Sequence, residues 1–318
     1  MAKILLTGAS SFTGLWIAFA LSEAGHTVIA TMRRNAKDYS GLRRERVERL
    51  RTVADLVFAA PFESERFVAL AADGFDLLAH HAADIPNYRD ATYDVLDGVR
   101  RNIVGADAAL EAFARAGGRA IIATGTVFET GEGGRLGGEL SVTPYGLSKG
   151  MTNDYFRHQT RWRGLAFGKF VIAAPFGPFE EGRFAWSIMR DWFSGRAGEV
   201  RTPRYVRDNI PAPLLATAYA ALVDRVLSAE GDVDVVSRPS GFVGPQEQFA
   251  RILSAEMAPR LGFRCEVRPL PQPHLLEPEV RINSDAMLEA PWDSEFFWDQ
   301  YADYYKRLAA SGVLAERR

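Results

Sequence analysis

Cysteine is almost missing from this chain of 318 residues: Cys265 is the only one. A single thiol closes no intrachain disulfide and builds no thiolate metal cluster, and Cys265 reads as a buried bystander. No apolar run approaches the roughly 18 residues that a membrane span requires. The N-terminus lacks the basic and apolar regions of a secretory signal and enters a strand-like run, Lys3-Ile4-Leu5-Leu6. There is no excess of one charge either. Lys and Arg number 38 against 40 Asp and Glu, a net charge of −2, so nothing suggests a field that captures nucleic acid. No His/Asp/Glu cluster has metal-ligand spacing. No metal site is therefore expected, and His80, His81 and His158 read as structural or solvated. The expectation is a soluble, cytoplasmic protein with no membrane or nucleic-acid partner.

What is present is a globular core. Hydrophobic residues make up 47% of the chain and charged residues 25%, and the length suits one large α/β domain with a smaller appended unit. Short apolar runs alternate with helix-length segments. The runs are Lys3–Thr7, Thr27–Thr31, Arg51–Val57, Leu77–His81, Arg119–Thr124 and Lys169–Ala174. Near-continuous apolarity marks strands buried on both faces of a parallel sheet. Helices are expected over Trp16–Ala24 and Val99–Ala116. The fold class is α/β: a Rossmann-like, doubly wound parallel sheet with right-handed crossovers. The alternation weakens after Pro178, so residues 1–175 are assigned to the sheet domain. Residues 176–318 are assigned mainly to a smaller C-terminal substrate-binding part that can return elements to the first. Gly131 to Gly138 holds five glycines and reads as a mobile loop. Phe297, Tyr301, Tyr304 and Tyr305 have the spacing of a core-packing helix face.

Three motifs carry chemistry. The first strand runs into Gly8-Ala-Ser10-Ser11-Phe12-Thr13-Gly14, a glycine-bounded turn opening a helix near Phe12. Such a turn lets backbone approach a pyrophosphate, and the helix N-terminus offers free N–H groups. Ser11 stands where a middle glycine is usual, and its small hydroxyl can donate to phosphate. Second, Tyr145 and Lys149 are four residues apart on a helix and share a face. A nearby cation lowers the phenol pKa from near 10 toward a useful range. Third, Thr124 ends a strand about twenty residues before Tyr145, where open α/β sheets bind ligands.

In order and spacing these motifs resemble the extended short-chain dehydrogenases/reductases, the nucleotide-sugar epimerase/dehydratase/reductase family that uses NAD(P). The resemblance covers nearly the whole chain. It implies that Thr124 hydrogen-bonds the reacting sugar oxygen, that Tyr145 exchanges the proton, and that Lys149 lowers the pKa of Tyr145 and holds the nicotinamide ribose. It implies that Asp55 and Leu56 contact adenine after the third strand. Ala82 and Ala83, closing His80-His81-Ala82-Ala83, would lie against the cofactor, and Asn102 matches an Asn in the helix preceding the catalytic strand. Ala174-Pro175-Phe176-Gly177-Pro178 resembles the segment beside the nicotinamide, with Ala174 where Asn is usual. Pro175 would touch the cofactor, and Ala174 and Phe176 the substrate. Arg207 resembles the Arg that binds the substrate's pyrophosphate. Phe179 and Arg238-Pro-Ser-Gly241 are further candidates for the substrate site.

The reaction is less constrained. Members that eliminate water carry an acid directly after the catalytic Ser or Thr, because the leaving hydroxyl must be protonated. Gly125-Thr126 occupies that place, so a dehydratase ranks low. The second strand ends Thr31-Met-Arg33-Arg34, without the acid that binds an adenine ribose hydroxyl. Arg33 or Arg34 can instead pair with a 2′-phosphate. NADP(H) is therefore favoured with NAD(H) an alternative, and the reading leans to a 4-ketoreductase over a 4-epimerase that retains NAD. A catalytically silent cofactor-binding regulator is the third reading. The family habit also implies a homodimer through two helices per subunit, around Val99–Ala116 and Tyr145–Arg161.

Overall fold

The computed structural model of the chain describes residues 1–84, 90–134, 140–141, 143–229, 233–272, 278–288 and 292–316. Its first half alternates strand and helix: β1 (Lys3–Thr7), α1 (Phe12–Glu23), β2 (Thr27–Thr31), α2 (Gly41–Leu50), β3 (Asp55–Val57), α3 (Glu65–Ala71), β4 (Leu77–His80), α4 (Val95–Ile103), α5 (Ala106–Arg115), β5 (Ala120–Thr126), α6 (Pro144–Trp162) and β6 (Ala166–Ile172). Four of the predicted strands stand within two residues of these bounds. Burial on both faces made them legible: every residue of β4 and β5 is buried.

Two expectations change. Arg51–Val57 shrinks to Asp55–Val57, because residues 51–53 are turn after α2. The helix expected over Val99–Ala116 is two helices. Gly105 breaks it at φ 77°, where a Cβ would lie 2.6 Å from the Glu63 Cα. Only glycine takes that conformation and that approach without strain.

The second half adds β7 (Ala174–Phe176), α7 (Phe184–Phe193), β8 (Gly198–Val200), β9 (Val206–Pro211), α8 (Ala212–Ser228), β10 (Asp234–Ser237), β11 (Pro239–Ser240), β12 (Phe242–Pro245), α9 (Gln246–Leu261), β13 (Val267–Pro269), β14 (Val280–Arg281), β15 (Asp285–Ala286), α10 (Ser294–Ala310) and α11 (Val313–Glu316). The main sheet has seven strands in the order β10-β6-β5-β4-β1-β2-β3. Each neighbouring pair is parallel. β1 is followed by β2 on one side and lies against β4 on the other. That junction is the switch point where such sheets bind ligands, outside the carboxyl ends of the strands. β10, from the second half, pairs with β6 and completes the sheet. α8 packs on α1 and β6, and Gly168 makes room: a Cβ there would meet Ile122, Val226 and Leu222.

A second sheet is built around β9, with β12 antiparallel to it and β7 and β14 parallel. The shorter pairs β8–β13 and β11–β15 flank it. The aromatic face of α10 packs as expected: Phe297, Tyr301, Tyr304 and Tyr305 are all buried. Cys265 is buried too, and burial pushes its thiol up to about 11. Among the described residues no helix is long and apolar enough to cross a membrane. No group of three or more His, Cys, Asp or Glu there could hold a metal ion.

Candidate active site

The glycine turn leaves β1 at the switch point. Gly8 has φ 73°, and a Cβ on it would lie 2.7 Å from the Ala82 nitrogen. A Cβ on Gly14 would lie 2.3 Å from the Gly8 carbonyl oxygen. Both glycines are thus fixed by close backbone approach. Ser11 caps α1, its Oγ accepting from the Gly14 N–H at 3.0 Å. That role explains why a serine suits the middle position. Ser10, Phe12 and Thr13 complete the turn, and the Ser10 carbonyl accepts from buried Arg46 on α2 at 3.4 Å. Arg46 also donates to the Phe179 carbonyl at 2.7 Å, which ties the turn to the segment before α7. The turn therefore fits a dinucleotide pyrophosphate through its tight backbone and the N-terminus of α1 that it leads into.

Opposite, β4 ends at His80, and the next residues close over the turn. The Ala82 N–H donates to the Thr7 hydroxyl at 3.0 Å, and Asn102 anchors the neighbouring loop, accepting from the Asp84 N–H at 2.7 Å. Asn102 is buried and also donates to the Gly98 carbonyl. Its role in the protein alone is to hold the Ala82–Ala83 loop in place. His80 packs between Phe62 and Phe156 and bonds Thr7 at 3.2 Å. Burial, with Lys149 and His81 nearby, lowers its pKa to about 3. The structural reading of His80 fits this.

His81 is held by protein groups on both sides, which fits the structural rather than the solvated half of its reading. Its Nδ1 is 2.9 Å from the Thr124 Oγ1, and its Nε2 is 2.9 Å from the Thr13 Oγ1. It joins the cofactor turn to the predicted catalytic hydroxyl.

Thr124 is buried in β5. Tyr145 and Lys149 lie on one buried face of α6, which packs along β5. Pro144 at the first helical position and the Thr143 cap start α6 just before Tyr145. The expected lowering of the Tyr145 pKa is not found: burial raises it above the ordinary phenol value. The Glu129 charge and Tyr93 act in the same direction, and only Arg183 opposes them. Burial likewise lowers the Lys149 ammonium, with Glu129 acting against that and Lys169 with it.

Beneath these residues is a buried ion network that the sequence reading missed. Glu129 accepts from the Thr126 N–H at 2.8 Å and the Asn153 amide at 2.9 Å, and pairs with Lys169 at 2.7 Å. Lys169 also meets Glu132 at 3.0 Å, which pairs with Arg238 at 2.6 Å. Gly125 is small because of it: a Cβ would lie 2.8 Å from Lys169. Arg238 thus belongs to this network.

The remaining candidates scatter. Asp55 is exposed and opens β3 opposite Ile29, so Asp55 and Leu56 precede the strand's carboxyl end. Phe176 is core, its ring centroid 5.0 Å from Phe249 and 5.5 Å from Phe297, which corrects the substrate role given to it. Phe179 packs on Tyr304 in the same way. Ala174 is half-buried and Pro175 buried in β7 beside β9. Arg207 is buried, stacks on Tyr205 and donates to the carbonyls of Pro278 and Glu279. Arg33 and Arg34 are exposed beyond β2. Of the five-glycine stretch, residues 135–139 lie outside the described residues.

Residues 4–204 match the model of the NAD dependent epimerase/dehydratase family. No curated protein matches the sequence. Solved structures match over almost the full length of both chains. UDP-glucuronic acid 4-epimerase from Bacillus cereus, with UDP-glucuronic acid and NAD, is 17% identical over 96% of this chain and 99% of its own, at a TM-score of 0.73. UDP-glucose 4-epimerase from Thermotoga maritima, with UDP-glucose, is 18% identical over 96% and 99%, at 0.70. The UDP-Glc/GlcNAc 4-epimerase of Campylobacter jejuni is 17% identical over 96% and 100%, at 0.71.

Proposed function

Because the chain belongs to the NAD dependent epimerase/dehydratase family, among the extended short-chain dehydrogenases/reductases, we propose that it moves hydride to and from a nucleotide-activated sugar. The observation that carries this reading is that Thr124 is buried in β5 and tied through His81 to Thr13 of the glycine turn, while Tyr145 and Lys149 lie on a buried face of α6, which packs along β5. A nicotinamide cofactor, bound in that cradle, supplies the hydride acceptor or donor. Thr124 donates a hydrogen bond to the reacting sugar oxygen and steadies its developing charge. Tyr145, kept protonated at neutral pH by its burial, gives its proton as general acid when a carbonyl is reduced. For oxidation it must lose that proton; Arg183 is the charge that favours the phenolate, and Lys149 on the same helix face is left to hold the nicotinamide ribose. Gly8, Ser10, Ser11, Phe12, Thr13 and Gly14 hold the pyrophosphate, with Ala82, Ala83 and Pro175 around the nicotinamide half. Arg207 and Ala174 face the substrate side.

Of the reactions this chemistry serves, 4-epimerisation of a UDP-sugar with NAD is the first reading, supported by the full-length likeness to three such epimerases. A 4-ketoreductase using NADPH is the second. It is supported by Arg33 and Arg34, exposed beyond β2, where Thr31 ends the strand and Met32 follows with no carboxylate. The nucleotide released on denaturing the purified protein separates them. NAD in most subunits supports the epimerase; an empty site that binds NADPH more tightly than NADH supports the reductase. Tyr145→Phe is expected to fold normally and lose about 10²–10⁴-fold in turnover, and retained activity would overturn the assignment. We also propose a homodimer through α4 and α6, whose outer faces expose Leu96, Leu147 and Met151.

A further inference from the structure

His81 bridges two hydroxyls that come from opposite sides of the switch point. Its ring lies 2.9 Å from the Thr13 Oγ1 and 2.9 Å from the Thr124 Oγ1. A neutral imidazole has one N–H donor and one lone-pair acceptor, so the chain Thr13–His81–Thr124 has a direction. If Nδ1 carries the proton, the ring donates to Thr124, and the Thr124 hydroxyl keeps its own hydrogen. If Nε2 carries it, Thr124 must spend its hydrogen on the ring.

We infer that His81 is the positioning residue of this site, held as the Nδ1–H tautomer so that the Thr124 hydroxyl points its hydrogen at the sugar oxygen. This rests on the hydride-transfer reading above. Two features of the surroundings favour that direction. Thr13 is the second residue of α1, so Nε2 faces the positive end of a helix, where a lone pair is preferred over an N–H. The ring also stays neutral: burial and the Lys149 charge lower its pKa to about 4. His80, the adjacent titratable group, is itself lowered to about 3 and adds no charge. Glu129, the acid nearest Lys149 in effect, acts on Tyr145 and Lys149 rather than on His81.

The test has two arms. Nitrogen-15 spectra of histidine-labelled full-length protein, with the His81 signals assigned by their loss in His81→Asn, read the tautomer directly and need no turnover. The expected result is a protonated Nδ1 and a bare Nε2 that remain distinct down to about pH 5; a protonated Nε2, or titration near the ordinary value of about 6.5, overturns the inference. Kinetics with NAD and UDP-glucose form the second arm. An Asn amide N–H can take the place of Nδ1–H, whereas a Gln amide reaches only toward the Nε2 side. His81→Asn is therefore expected to keep kcat within about threefold and His81→Gln to lose tenfold or more, both measured with NAD saturating. Equal losses, or Gln outperforming Asn, overturn it. If the unaltered protein transfers no hydride with any nucleotide sugar, the functional reading fails while the spectra still decide the role of His81.

Discussion

Gly8 answers two demands at one position. Its φ of 73° is a conformation that a side chain resists, and a Cβ would meet the Ala82 backbone at 2.7 Å. Neither neighbour can move without disturbing the cradle. Gly8→Ala should therefore lower stability by about 1–3 kcal/mol and abolish nucleotide retention, measured as the urea midpoint and the nucleotide content of the same preparation. The residue scale also shows which parts of the site a sequence discloses. The elements that carry Thr124, Tyr145 and Lys149 were readable from local pattern, although β5 runs on to Thr126, two residues past the strand end expected at Thr124. The meaning of His81 depends on Thr13 and Thr124, 68 and 43 residues away, and no local pattern contains that information.

At the scale of elements, β6 carries an unusual load for a central strand. Lys169, buried within it, neutralises Glu129 and contacts Glu132. Removing one partner of a buried ion pair leaves an uncompensated charge and costs about 3–5 kcal/mol. Lys169→Met should show a loss of that size in chemical denaturation, and pairing it with Glu129→Gln should recover part of it; a loss under 1 kcal/mol would mean that water reaches the carboxylates. β1, β2, β4 and β5 were legible because they are mostly apolar and almost wholly buried. β10 was not, since it has four residues, one exposed and two half-buried, as befits an edge. The split between α4 and α5 also escaped, because the helical pattern continues across Gly105. What breaks it is the approach of Glu63 from another part of the chain.

For the whole molecule, α10 is joined to the segment before α7 by a buried acid as well as by its aromatic packing. Glu180 accepts from the Tyr301 hydroxyl at 2.5 Å and the Tyr305 hydroxyl at 2.9 Å, and burial raises its pKa from 4.5 to about 7. Between those values the folded chain holds a proton that the unfolded chain has released, so stability falls as pH rises. The contribution is full below about 4.5 and lost by about 7, a difference of about 3 kcal/mol. His80 and His81 act oppositely, weakening the fold as pH falls below about 6.5. The difference between the parent protein and Glu180→Gln isolates the acid: the variant should gain relative stability from pH 5 to pH 8, and a flat difference would place the titration elsewhere. For the assembly, Leu147→Glu on the exposed face of α6 should turn a dimer into a monomer in light scattering, with the melting temperature of dilute protein unchanged. The position of β10 reaches further, into how the protein is made. β6 leaves the ribosome well before the strand that covers its flank, so for that interval its backbone edge is open to any other extended chain. A product terminated at residue 175 keeps that edge open for good. It is expected to collect in inclusion bodies, whereas one extended past Ser237 can close the sheet on itself.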